Sequence, residues 1–247
     1  MVTVHTLEVL PGVEELNEAV GGAFLARLRA LVDEAGTASR VNLGISGGAV
    51  ATSLLPSLLG LVGEVDWSRV RVWLVDERFV PAGDPDRNDE QAWECFFRAA
   101  KGVEFVRMPT CDASSDGCGD LAAATAAFRS TWSELMGGSS FDIALIGMGP
   151  DGHICSLFPG RVDLEESSPI LAIRDSPKPP PERMTVSMPV MRACREVWLT
   201  TSGAAKADAL GRAFAGASPT CVPVAGVLSP TTRVYVDEAA ASAIALP

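Results

Sequence analysis

Histidine is nearly missing from this sequence: 247 residues carry only His5 and His153. Six cysteines are present, at 95, 111, 118, 155, 194 and 221, but no pair has CxxC spacing. With the histidines also far apart, no metal site is expected, and the cysteines read as reduced, mostly buried thiols. A Cys111–Cys118 disulfide is geometrically conceivable but out of keeping with a reducing compartment. No apolar run is long enough to span a bilayer. The opening MVTVHTLEVLPGVEEL has no basic stretch leading into an apolar block, so no signal peptide is expected and a cytoplasmic protein is the default. Positive charge is also short, with 20 Lys and Arg against 31 Asp and Glu, a net charge of −11. That argues against nucleic acid as a partner. It also sets a condition for any anionic ligand. The overall field repels it, so a local cluster of cations and backbone N–H groups must win at short range.

What is present is a folded, apolar-rich chain, 47% hydrophobic, long enough for one large α/β domain or two small ones. Apolar, β-branched runs alternate with helical spacing. Strands are expected at VTVHTLEVL, VNLGIS, VRVWLVD, VEFVRM, FDIALIG, EVWLTTSG and TRVYVD. Between them, helices are expected over 13–35, 49–61, 88–100, 120–136 and 204–214, with Gly137-Gly138 closing the fourth. Strands apolar on both faces and separated by helices predict a mostly parallel, Rossmann-like sheet between two helical layers. In such folds ligands bind beyond the carboxyl ends of the strands. The proline-rich SPKPPPERM, residues 176–184, reads as a stiff loop over the sheet edge and not as an interdomain linker.

Four loops follow those strand ends. In GISGGAVATSLL, the turn Ser46-Gly47-Gly48 leads into a helix, so backbone N–H groups can face an anion; equally, tight βα turns simply need small residues. Neither the Walker A lysine nor GxGxxG is present, so no nucleotide cofactor is expected. In VDERFVPAGDPDRND, Asp76 and Arg78 alternate in strand register and can share a face. Arginine there suits a phosphate or carboxylate, or an ordinary ion pair. In GMGPDGHICSLFPG, three glycines turn the chain and bring His153 next to Asp151. A histidine beside a carboxylate in the expected crevice is a candidate general base. In TTSGAAKADAL, Lys206 opens a helix, an unfavourable place for a cation unless an anion compensates, though an ordinary surface lysine is the plainer reading.

GISGG, VDER, GMGPDGH-xx-SLFPG and SGAAKA, in this order over nearly the whole chain, resemble the 6-phosphogluconolactonases, and SPKPPPERMT is similar to that family too. The resemblance implies a single-domain three-layer α/β/α sandwich of the kind shared with sugar-phosphate isomerases. It implies hydrolysis of 6-phospho-D-glucono-1,5-lactone to 6-phospho-D-gluconate in the oxidative pentose phosphate route, without cofactor or metal. His153 would be the base on water, with Asp76 or Asp151 orienting it. Arg78 and Lys206, with the Ser46-Gly47-Gly48 turn, would hold the phosphate. The expected partner is a small sugar-phosphate lactone, with neither nucleic acid nor membrane, and the protein a monomer or weak homo-oligomer.

Three departures from the family pattern stand out. Ala49 replaces a hydroxyl residue, which Thr52 or Ser53 would have to supply. GHICS replaces GHTAS, and Arg87 replaces a serine, either adding a phosphate contact or facing solvent. The nearest rival is an aldose–ketose isomerase or deaminase on the same fold, such as glucosamine-6-phosphate deaminase, whose loop also resembles DGHI, but SLFPG and Arg78 favour the lactonase. A non-catalytic sugar-phosphate sensor would need a DNA-binding segment that does not precede residue 13. Cys155 as a thiol nucleophile would need a helix N-terminus to activate it, and a packed small residue is the simpler expectation.

Overall fold

The computed structural model describes residues 4–36, 39–112 and 119–245. Seven strands form one parallel sheet: β1 (Thr6–Leu10), β2 (Val41–Ile45), β3 (Val70–Leu74), β5 (Glu104–Val106), β6 (Ile143–Ile146), β9 (Val197–Thr201) and β10 (Thr232–Asp237). Their order is β1-β10-β9-β6-β2-β3-β5. All seven coincide with runs that the sequence marks as strands.

Two apolar clusters explain the layering. On one face, Leu43, Ile45, Val72, Leu145 and Trp198 pack with α1 (Val13–Glu34), α2 (Leu55–Ser57) and α3 (Asn88–Cys95). The α1 residues Leu16, Val20, Phe24, Leu28 and Leu31 recur every three or four positions, and all are buried. On the other face, Trp73, Ala144, Ile146, Leu199 and Val236 pack with α4 (Leu121–Met136), α5 (Met188–Arg192), α6 (Ala207–Phe214) and α7 (Glu238–Ala241). The chain is thus an α/β/α sandwich. Helix α4 matches its expected span: the Asp120 carboxylate accepts from Ala122 N–H at the start, and Gly137 closes the end in the left-handed conformation.

Other spans are modified. The helix expected over 49–61 is a π-turn (Val50–Leu54) running into α2 and then a 3₁₀ segment (Leu59–Glu64). The helix expected over 88–100 stops at Cys95, with a 3₁₀ turn after it. Lys206 lies in a 3₁₀ turn that precedes α6, and α7 follows the last strand.

A second sheet was not foreseen. β4 (Asp76–Arg78), β8 (Arg183–Val186) and β7 (Ile170–Ile173) pair antiparallel in the order β4-β8-β7. The hinge between the sheets is Val75. Its N–H donates to Ile45 in the large sheet, and its carbonyl accepts from Val186 in the small one. The run VRVWLVDER therefore leaves the large sheet at its carboxyl end and carries Asp76 and Arg78 over the crevice.

Arg87 corrects one expectation. It neither faces solvent nor reaches the site, being only 1% exposed. Its guanidinium pairs with both oxygens of Asp89 at 2.8 Å and donates to the Met108 carbonyl. Glu77 lies 3.8 Å away and accepts backbone N–H bonds from Arg78, Asn88 and Asp89 at 2.7–2.8 Å, which caps α3. Burial nonetheless pushes the Glu77 carboxyl up to about 7, against the pull of Arg87. Among the described residues no helix is long and apolar enough to cross a membrane.

Replacing Arg87 with methionine should leave Glu77 buried without its counter-charge and Asp89 with only the exposed Arg107, 3.2 Å away. The expected loss is about 3–5 kcal/mol of unfolding free energy, read as a lower urea midpoint at pH 7.5.

Candidate active site

From β2 the chain moves to β3 and β5 on one side, then returns to β6, β9 and β10 on the other. The order reverses between β2 and β6, and a crevice opens at the carboxyl ends there. The loops after β2 and β6 meet in it, where Ser46 Oγ accepts from the Gly147 N–H at 2.9 Å. A cleft of about 380 Å³ lies above, lined by residues of all four expected loops. Ser46, Gly47, Gly48, Asp76, Arg78, His153 and Lys206 all border it. Asp151 does not line it but holds a residue that does.

His153 is fixed on three sides. Its Nδ1 is 2.5 Å from Asp151 Oδ1. Phe158 lies against the ring at 4.7 Å between centroids. Gly149 backs it so closely that a Cβ there would fall 1.9 Å from His153 Cε1. The loop makes this approach by closing on itself: Gly149 N–H donates to the His153 carbonyl, and Gly152 N–H to the Gly149 carbonyl.

The electrostatics favour a neutral imidazole. Burial lowers the His153 pKa below its ordinary 6.5, and nearby Lys178 adds to that, while Asp151 and Asp76 pull it back up. Burial would raise the Asp151 carboxyl, but the His153 hydrogen bond and the charges of His153 and Lys178 hold it below the usual carboxylate range. An ionised Asp151 can only accept, so Nδ1 carries the proton and Nε2 is left with a lone pair.

The two aspartates therefore divide. Asp151 orients the imidazole. Asp76 accepts instead from Ser156 Oγ at 2.6 Å. Ser156 in turn lies 3.5 Å from Arg183 Nη1, and the Arg183 guanidinium sits over Phe158 at 5.8 Å. Asp76 thus supports the floor beneath His153.

The cations converge on the same cleft. Arg78 donates through Nη1 to the Asp86 carbonyl, and its Nε is buried with no partner among the described residues. Burial, then the charge of Lys178, lowers the Lys206 pKa, as happens to an ammonium awaiting an anion. Gly47 is pressed on Asn88: a Cβ there would fall 1.8 Å from Asn88 Oδ1, so the turn that follows β2 admits no side chain at this point.

Two functional groups lie beyond the sequence reading. Lys178 and Arg183 both border the cleft, brought there by residues 174–182 between β7 and β8. The proline-rich loop covers the site and not merely the sheet edge. Its only sequence signal is the pairing of a lysine and an arginine with three consecutive prolines.

The departures resolve individually. Thr52 Oγ1 donates back to the Gly48 carbonyl and does not border the cleft. Ser53 does, with its Oγ accepting from Asn17. Ile154 and Cys155 are both buried core residues. Cys155 occupies a turn with φ 53°, closed by the Ile154–Leu157 bridge, and not a helix N-terminus. Burial raises its thiol well above the ordinary value, which disarms it as a nucleophile. The cysteines are less buried than expected: Cys155 and Cys194 are buried, Cys95 and Cys111 half-buried, and Cys221 exposed. Cys118, the second half of the conceivable disulfide, is outside the described residues. Among the described residues no group of histidine, cysteine and carboxylate side chains could hold a metal ion.

The family described as glucosamine-6-phosphate isomerases/6-phosphogluconolactonase matches residues 11–236. The chain belongs to this family. It is similar to the 6-phosphogluconolactonase of Mycobacterium tuberculosis, with 35% identity over 96% of this chain and 97% of that one. It is 36% identical to that of Streptomyces coelicolor, over 91% of this chain and 90% of the other. The human 6-phosphogluconolactonase is 33% identical over 92% and 90%. Among solved structures, the Leishmania guyanensis 6-phosphogluconolactonase superposes with a TM-score of 0.81 at 21% identity, covering 99% of this chain and 100% of that one. At that identity the likeness shows the fold.

Gly149→Ala should push the imidazole from its seat while leaving the fold intact. A displacement of about 1 Å can cost about 100-fold in turnover, so kcat is expected to fall on that order, with an unchanged far-UV spectrum.

Proposed function

We propose that this chain hydrolyses 6-phospho-D-glucono-1,5-lactone to 6-phospho-D-gluconate, the lactone step of the oxidative pentose phosphate route, as a single-domain cytoplasmic enzyme. The observation that carries this reading is a neutral imidazole, oriented by Asp151, in a cleft that also gathers Arg78 and Lys206. The full-length relatives bearing the lactonase name support the substrate.

The chemistry follows from the groups. The His153 Nε2 lone pair takes a proton from water as the water oxygen bonds to the lactone carbonyl carbon. The carbonyl oxygen becomes an oxyanion, for which backbone N–H groups of the cleft other than those on the phosphate are the donors at hand. Collapse breaks the bond to the ring oxygen, which receives the proton from Nε2, and the new carboxylic acid ionises into solvent. A lactone is an activated ester, so one base and a few donors suffice. Arg78, Lys206 and the Ser46-Gly47-Gly48 turn hold the phosphate, with Ser53 in place of the hydroxyl that Ala49 lacks. This cluster meets the condition set by the net charge of −11.

The test is a coupled assay in which glucose-6-phosphate dehydrogenase generates the lactone and 6-phosphogluconate dehydrogenase reports the acid. His153→Ala should lower turnover by about 10²–10⁴, and Arg78→Ala should chiefly raise KM. A folded wild type that does not accelerate hydrolysis, yet releases ammonia from glucosamine 6-phosphate, would overturn the reading in favour of the deaminase chemistry.

A further inference from the structure

A carboxylate bonded to a half-buried histidine has two opposing effects. It orients the ring, but it also stabilises the imidazolium and so takes the base out of service. Lys178 stands where it can separate these effects. Its Nζ lies 3.3 Å from Asp151 Oδ1 and 3.2 Å from His153 Nδ1. Since Nδ1 carries the proton bound by Asp151, the approach of Nζ to Nδ1 is one of donor to donor. Asp151 Oδ1 accepts from both.

This placement is built and not a stray surface contact. The Lys178, Pro179 and Pro180 carbonyls all accept from Arg183, at 3.0, 2.9 and 3.1 Å. Arg183 is itself buried, linked through Ser156 to Asp76, and lies over the Phe158 ring that supports the imidazole. One guanidinium therefore fixes both the face on which His153 rests and the backbone that delivers Lys178 to its edge.

Resting on the reading of His153 as the base, we infer that Lys178 is a positioning residue for the Asp151–His153 pair: its ammonium shares the carboxylate and keeps the oriented imidazole unprotonated. The charged groups acting on the imidazole are Asp151 and Asp76, which favour the imidazolium, and Lys178, which opposes it; the Arg183 guanidinium lies over the Phe158 ring, 5.8 Å from its centroid. Lys178 is the cation in direct contact. Its removal leaves the two carboxylates unopposed there, so the imidazole pKa must rise.

The small number of histidines makes this directly measurable. His5 and His153 give the imidazole C–H signals, and His5→Gln assigns them. Lys178→Met keeps the aliphatic stem and removes the charge. The His153 titration midpoint is expected to rise by about one pH unit, with Lys178→Arg returning most of the shift. Turnover in the methionine variant should fall more at pH 6 than at pH 8, with a smaller change in KM. An unmoved midpoint overturns the proposal, as does a raised KM with no midpoint shift, which is the signature of a simple phosphate ligand. Should the methionine variant fail to fold, Lys178→Gln serves the same comparison. The titration needs no substrate, so it stands apart from the lactonase reading, whose failure would appear in the wild-type assay.

Discussion

The short contact between Asp151 and His153 is the constraint on which the rest of the site depends. A histidine in a mobile loop would be a poor base, because each turnover would have to find its orientation again. Here the loop after β6 closes on itself, Gly149 gives up its side chain to admit the ring, and Phe158 packs against it. The carboxylate then has one ring nitrogen to bind, and the other is left facing the work. Preorganisation of this kind is obtained during folding and costs nothing at the moment of reaction.

Charge is organised around the same contact. The protein as a whole repels anions, yet Arg78, Lys178, Arg183 and Lys206 meet at one cleft. They arrive from different elements: β4 with its hinge at Val75, the loop between β7 and β8, β8 itself, and the turn before α6. The small antiparallel sheet is the device that makes this possible, since it folds two of its three strands' ends back over the carboxyl edge of the large one. Asp76, linked to it through the Ser156 hydroxyl, seats the innermost of these cations, Arg183.

Much of this was legible in the sequence because it is local. The seven strands of the large sheet are apolar on both faces, and that pattern survives without any knowledge of neighbours. The glycine turns mark where the chain must bend, and the rule that ligands sit at strand carboxyl ends then picks out Ser46, Asp76, His153 and Lys206. What was not legible depends on partners distant in sequence. β7 and β8 are four residues each and show no distinctive period. Arg87 reads as a loop arginine until Asp89, Glu77 and the Met108 carbonyl close around it. The choice between Asp76 and Asp151 turns on where Ser156 lies, which no spacing reveals. Lys178 sits in a proline-rich stretch whose composition speaks of stiffness and says nothing of where it points.

The central claim is that a neutral, half-buried His153 takes the proton from water. The pH dependence of kcat/KM for the wild-type chain, corrected for spontaneous lactone hydrolysis, tests it most directly. Burial and Lys178 depress the imidazole, so the base is in its active form above the depressed pKa and is lost as pH falls through it. The account predicts a rate that is flat near neutrality and declines with a single ionisation below pH 6.5. A rate that is independent of pH through that range, or a limb centred above 6.5, would contradict it.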